Sequence, residues 1–237
     1  MRKKVIVFGT LLVIGIFGWG FLRRFPLRRG LNRDCISNPD PVFTHGITDL
    51  SKIKFITPPG SLEQYGNEVA LKSHSYVFID GRVPVYAPVD SALYQGSYYE
   101  EEGENQYSLF FDVSCEVFYL FDHIWEPVDK LRVVLPSEPS TDTRTTEVRN
   151  PVEVKAGELI GYTTGTVYSH HFDFGVYNRD RKNDLSKITV EGLKLFDREY
   201  QGLCPYDVFP EEKKEVYYSK FENVKTNEPI PTVFCKP

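Results

Sequence analysis

The sequence predicts a mainly β domain carried behind an N-terminal apolar segment. From residue 74 onward, short β-branched and aromatic runs alternate with turn signals: HSYVFI, then Asp80-Gly81, VPVYA, SALYQGSYY, YSLFFDV, EVFYLFDHI, ELIGYTT and HFDFGVY. With 41% hydrophobic and 14% aromatic residues in 237, the chain has enough apolar side chain for one sizeable core.

Residues 5–22, VIVFGTLLVIGIFGWGFL, are 18 consecutive uncharged residues behind Arg2, Lys3 and Lys4, near the lower length limit for a membrane-spanning helix. Phe21-Leu22 runs straight into Arg23-Arg24 without a small-residue cleavage site, so the segment reads as an uncleaved anchor. Orientation is contested within the sequence. The basic flank Arg23, Arg24, Arg28, Arg29 and Arg33 by itself keeps the C-terminal side cytoplasmic. The even set Cys35, Cys115, Cys204 and Cys235, two of them in a Pro-rich tail, points to an oxidising, extracytoplasmic compartment, which is the reading adopted.

All eight basic residues of 1–33 belong to the anchor region, leaving 20 Lys and Arg against 33 Asp and Glu in residues 34–237. A domain of charge −13 repels nucleic acid and anionic polymers, so nucleic-acid binding is excluded as a reading.

Residues 1–33 are taken as anchor and basic flank, 34–73 as tether and N-terminal extension, 74–178 as the β-domain and 179–237 as a C-terminal extension. Asp80-Gly81 predicts a tight hairpin, with His74, Tyr76 and Phe78 on one face and Ser75, Val77 and Ile79 on the other. PSEPSTDTRTTEVRNP (136–151) reads as a polar surface loop. A helix is expected around 209–223, packing Val216, Tyr217 and Phe221 against the sheet. Tyr94, Tyr98 and Tyr99, followed by Glu100 to Glu104, read as a loop able to stack on a ligand. Cys115 is expected in a strand, buried and free or bridged to Cys35, and Cys204 with Cys235 as a mutual disulfide.

Four stretches in order resemble the lysostaphin-type (LytM-like) zinc endopeptidases. VPVYAPVDSAL (83–93) resembles the family's "pVyAp.dG.V" strand, and VEVKAGELIGYTTG (152–165) its "V.vGq.IG..G" turn. FDHI (121–124) resembles Y-x-H-L and HFDF (171–174) resembles H-x-H-F, so the likeness spans about residues 74–178. The resemblance implies a lysostaphin/LytM-like open antiparallel β-barrel or sandwich, with an N-terminal transmembrane helix and a short disulfide-prone tail added here. It also implies hydrolysis of peptide cross-links in peptidoglycan by a zinc ion held through H-x-x-x-D and the second His of H-x-H.

Carried over residue by residue, His123 and His171 take the two catalytic, non-ligand histidine positions. The metal positions fall on His74 and Asp173. Asp173 replaces a histidine but still offers a carboxylate oxygen on the same strand face as His171. Four residues after His74 stands Phe78, which binds no metal. His45-Gly46-Ile47-Thr48-Asp49 is an in-register H-x-x-x-D, yet it lies about 40 residues before VPVYAP and reads as coincidence. Against the site stand plainer readings: His123 as a structural histidine, His74 as a hydrogen-bond partner, Asp173 as an acceptor only, and His170 in place of His171 if the strand slips by one.

Two functions follow. In one, a membrane-anchored extracytoplasmic domain with a degenerate zinc site binds a cell-envelope polymer or peptide, or an envelope protein. In the alternative, an active zinc metalloendopeptidase cuts cell-wall cross-links. Ligand accounting favours the first, since a catalytic zinc normally has three protein ligands. A carrier module displaying Lys155 is the weakest reading.

Overall fold

The computed structural model describes residues 35–222 and 233–236. Thirteen strands run in chain order. They are β1 (Ile53–Thr57), β2 (Leu62–Tyr65), β3 (Glu68–Leu71), β4 (Ser75–Ile79), β5 (Val83–Tyr86), β6 (Ser91–Glu101) and β7 (Glu104–Asp112). They continue as β8 (Val117–Ile124), β9 (Glu126–Pro127), β10 (Thr146–Val154), β11 (Leu159–Thr163), β12 (His171–Asn178) and β13 (Leu193–Lys194). Three short helices accompany them: α1 (Asp129–Arg132), α2 (Asp197–Gln201) and α3 (Glu211–Tyr218). The expected mainly β class is what forms. The apolar stretch 5–22 lies outside the described residues, among which no helix is long and apolar enough to cross a membrane.

Seven strands make one open antiparallel sheet in the order β1-β4-β12-β8-β7-β6-β10. A second sheet, β5-β11-β9, and a third, β13-β3-β2, complete the architecture. Period-two alternation sorts the large sheet into two faces. On β8, Tyr119 and Phe121 enter the main core; on β12, Phe172, Phe174 and Val176 do the same. Phe111 stacks on Tyr119 at 4.9 Å and Phe121 on Phe174 at 5.2 Å, so the core is largely a ring-packed layer. On the opposite face, Phe110, Phe118, Leu120 and Tyr177 form a smaller apolar cluster.

The expected hairpin at Asp80-Gly81 does not form. β4 pairs with β1 and β12, whereas β5 pairs with β11 in another sheet. The turn chemistry is as expected, with Gly81 at φ 72°, but it passes the chain between sheets instead of folding it back. The alternation along β4 holds: Val77 and Ile79 enter the core, and Tyr76 and Phe78 lie against His171 on the other face.

Other expectations need correction. Thr146–Val154 is a strand on the edge of the large sheet beside β6, so only the first part of 136–151 is irregular. The tyrosine-rich stretch is not a loop but the long β6–β7 hairpin, in which Tyr99 is fully buried. Helix α3 is shorter than 209–223, and Tyr217 is buried while Val216 stays exposed. Phe221 reaches the sheet through a bridge to Ile56. Cys204 and Cys235 do form a disulfide. Cys115 lies in the β7–β8 turn, not within a strand, and is disulfide-bonded like Cys35, so none of the cysteines is free.

Two glycines of the VEVKAGELIGYTTG turn do what their spacing suggests. A Cβ at Gly161 would sit 2.5 Å from the Glu126 carbonyl oxygen, where β11 passes β9. Gly165 has φ 74°, and a Cβ there would lie 2.5 Å from the His171 amide nitrogen, so it lets the chain enter β12.

Because Phe174 is fully buried among Phe121, Tyr206 and Phe209, Phe174→Ala should lower unfolding free energy by about 3–5 kcal/mol. Denaturant unfolding followed by tyrosine fluorescence measures it, and a loss under about 1 kcal/mol would contradict the core described above.

Candidate functional site

The strands that carry FDHI, HFDF and HSYVFI are neighbours, in the order β4-β12-β8. Asp173 pairs with Tyr76 on one side and Asp122 on the other, and His171 pairs with Phe78. This register converges all four sequence-predicted site residues. His74 Nε2 lies 3.1 Å from Asp173 Oδ2, His123 Nε2 3.7 Å from the same oxygen, and His171 Nε2 3.6 Å from Oδ1. Three imidazoles thus surround one buried carboxylate, which is 4% exposed.

The electrostatics follow from that burial. Desolvation alone would raise the Asp173 carboxyl. His74, His123 and His171 more than offset it and hold the group well below the ordinary carboxylate range. Burial pulls the His123 imidazolium down, yet Asp173, Asp122 and Glu101 outweigh it and push the ring up to about 9. Asp122 is itself held above its usual value by burial, partly countered by His123.

His123 is held in place by Gln106, which the sequence did not single out, and by Tyr99 and Glu101, which it placed in a ligand-stacking loop. Its Nδ1 faces Gln106 Oε1 at 2.6 Å, Tyr99 Oη at 3.2 Å and Glu101 Oε2 at 3.3 Å. Tyr99 donates to Asp122 Oδ1 at 2.6 Å, and the His123 amide donates to the same oxygen at 2.9 Å. The residue adopts φ 62°, unusual for a side chain with Cβ, and Thr163 Oγ1 secures its carbonyl at 2.5 Å. Gln106 is fully buried on β7, and no sequence signal set it apart from its polar neighbours Asn105 and Ser108. On the other flank, Tyr76 packs edge-on to His171 at 4.6 Å and donates to Glu63 at 2.7 Å, bringing β2 of the small sheet to the rim.

His170 stays outside the cluster, in the left-handed turn before β12 at φ 52°, so the strand does not slip. His45 packs on Tyr86, and Asp49 caps the Leu50–Lys52 turn through the Ser51 amide. That H-x-x-x-D is structural.

The zinc set that the sequence resemblance implies is incomplete here. Phe78 stands four residues after His74, where that set would have a carboxylate, and its ring lies 4.2 Å from Phe55 and 5.1 Å from His171. A different donor set is close enough: ligand atoms of His123, His171 and Asp173 all lie within 4.8 Å of one another. Tetrahedral zinc with bonds near 2.0–2.1 Å separates its donors by about 3.3 Å; His123 and His171 lie 3.7 and 3.6 Å from the Asp173 oxygens, so the set would have to draw together to hold the ion. Asp173 Oδ1 makes no hydrogen bond, as an oxygen turned toward a cation would require.

The cluster sits at one end of an open groove of about 890 Å³, within the range of ligand sites. Fold and site together define a mainly β domain with a buried histidine–aspartate cluster in a ligand-sized groove. No family model matches the sequence, and no curated protein does. Among solved structures, the chain is similar to one from the SpoIIQ–SpoIIIAH pore-forming complex, with TM-score 0.43 and 12% identity over 75% of this chain and 98% of that one. It is also similar to Helicobacter pylori Csd3 in an orthorhombic crystal, with TM-score 0.39, 12% identity and 76% of this chain covered. For Csd3 in a hexagonal crystal the TM-score is 0.37 with 13% identity. The chain spans 40% and 38% of the length of those two Csd3 chains.

In metal-free protein, His123 stabilises the fold fully below its ordinary value and loses that contribution as pH rises through about 9. NMR titration should place its midpoint near 9, and Asp173→Asn should lower that midpoint toward the ordinary imidazole range. An unchanged midpoint in the variant would show that Asp173 does not govern the ring.

Proposed function

We propose that this chain is a divergent lysostaphin-type domain that binds a cell-envelope peptide or an envelope protein without cutting it. The observation that carries the reading is Phe78. Its ring fills the position four residues after His74, where the family's metal carboxylate belongs, and it packs between Phe55 and His171. The family assignment is supported by the four sequence motifs and by their placement: β4, β12 and β8 adjacent, and β5 paired with β11 beside them. Residues 5–22 anchor the domain to a membrane, and the domain faces an oxidising compartment outside the cytoplasm. The engagement of all four cysteines in disulfides supports that placement.

A second reading, a zinc endopeptidase, is favoured by the donor atoms of His123, His171 and Asp173 within 4.8 Å. There the three residues would hold the ion, which when bound supplies an activated water and polarises the scissile carbonyl. His74 would then orient Asp173 from 3.1 Å.

Zinc analysis of the detergent-purified chain, dialysed against zinc and then against buffer, separates the two. The binding reading expects well under one equivalent retained by wild type and a gain in Phe78→Asp, which restores a carboxylate on the same face. One full equivalent in wild type, lost in Asp173→Ala and accompanied by cleavage of cross-linked peptidoglycan, would establish the peptidase instead.

A further inference from the structure

The groove does not end at the histidines. Along β8, Asp122, Leu120 and Phe118 share one face, each step of two residues advancing about 6.8 Å. On the neighbouring strand Phe110 pairs with Leu120. The floor therefore changes from charged to apolar within one or two steps, and Tyr94 packs edge-on against both Phe110 and Phe118.

Most charges that line the groove are already paired. Asp173 and Glu101 face the histidines, Tyr99 donates to Asp122, Lys72 pairs with Glu63, and Arg144 with Asp142. Arg198 lines the groove beside the apolar floor, its guanidinium 5.9 Å from the Phe110 ring. No carboxylate lies within ion-pair distance of Arg198 among the described residues. Nearby Arg179, by contrast, is held by Asp112 and lies 4.5 Å over Phe118. Arg198 is exposed but not loosely carried. The adjacent Glu199 is buried, accepts from the Phe196 amide at 2.6 Å, and has its own carbonyl bound by Asn183 Nδ2. The short helix α2 is thereby pinned with Arg198 turned to the groove.

An uncommitted guanidinium at the rim of an aromatic floor suits one ligand chemistry. We propose that this end of the groove is a subsite for a peptide with a free C-terminal carboxylate: Arg198 takes the carboxylate, and Phe110, Phe118, Leu120 and Tyr94 take the adjoining apolar side chain. The preceding residues run toward the acidic, histidine-bearing end. The subsite rests on the peptide-binding reading of this groove and adds the polarity and chain end of its ligand. It also accounts for how a domain of strongly negative charge accepts an anionic terminus, since the attraction is local and Asp112, the acid at this end, is already held by Arg179.

The test is calorimetric titration of the full chain in detergent with acetyl-Ala-Phe-Ala as the free acid and as its C-terminal amide. The acid should bind about tenfold or more tightly than the amide, the scale of one charge-assisted hydrogen bond. In Arg198→Gln that gap should close with amide affinity unchanged, Arg198→Lys should retain part of it, and Phe110→Ala should weaken both peptides. Equal binding of acid and amide to wild type would overturn the carboxylate subsite while leaving the groove a peptide site. Binding of neither peptide would overturn the subsite and the peptide-binding reading together.

Discussion

The arrangement turns on one buried carboxylate. Asp173 sits on a central strand with almost no solvent contact, and an isolated charge there would cost several kcal/mol in lost hydration. It remains ionised because His74, His123 and His171 approach it from β4, from β8 and from its own strand. The requirement fixes strand register. A slip of one residue would send Asp173 into the ring-packed core and bring Phe172 or Phe174 out to the groove. The left-handed conformation of His123 is tolerated for the same reason, since Asp122, Gln106 and Thr163 together hold backbone and ring toward Asp173.

This coupling changes what the surviving histidines mean. In an active hydrolase they would be kept for chemistry. Here they also stabilise a buried anion, and removing one weakens that support, a change that costs more than losing a neutral contact. The cluster therefore has a structural reason to exist whether or not a metal is bound. Position 78 faces Phe55 and His171, where a ring gains contact area.

What was legible in the sequence was what depends on local pattern. Alternation in HFDFGVY and EVFYLFDHI assigns the right side chains to the right faces, and the glycines of VEVKAGELIGYTTG mark a close crossing and a positive φ. Legibility ended where pairing partners had to be chosen. Asp80-Gly81 specifies a turn but not whether the next strand folds back or joins another sheet. Thr146–Val154, polar and interrupted by Pro151, carries little strand signal because it lies on a sheet edge with one face in water. Around the site, Gln106 escaped notice, and Tyr99 and Glu101 read as a loop, for a related reason. Their role arises only when the β6–β7 hairpin lies against β8, a contact no residue in YSLFFDV announces.

The two ends of the groove also differ in what holds them. At the histidine end nearly every charge is already answered by another protein group, so a ligand gains little electrostatic energy by arriving there unless it brings a cation. At the far end Arg198 is left unanswered over an aromatic surface, while Asp112 is already taken by Arg179. Net charge alone describes such a domain poorly: at −13 for residues 34–237 it repels polyanions at long range, yet screening confines that field to about 10 Å at moderate salt. Within the groove the sign is set by the nearest groups, and of the two guanidiniums over the apolar floor Arg198 is the one that no carboxylate holds.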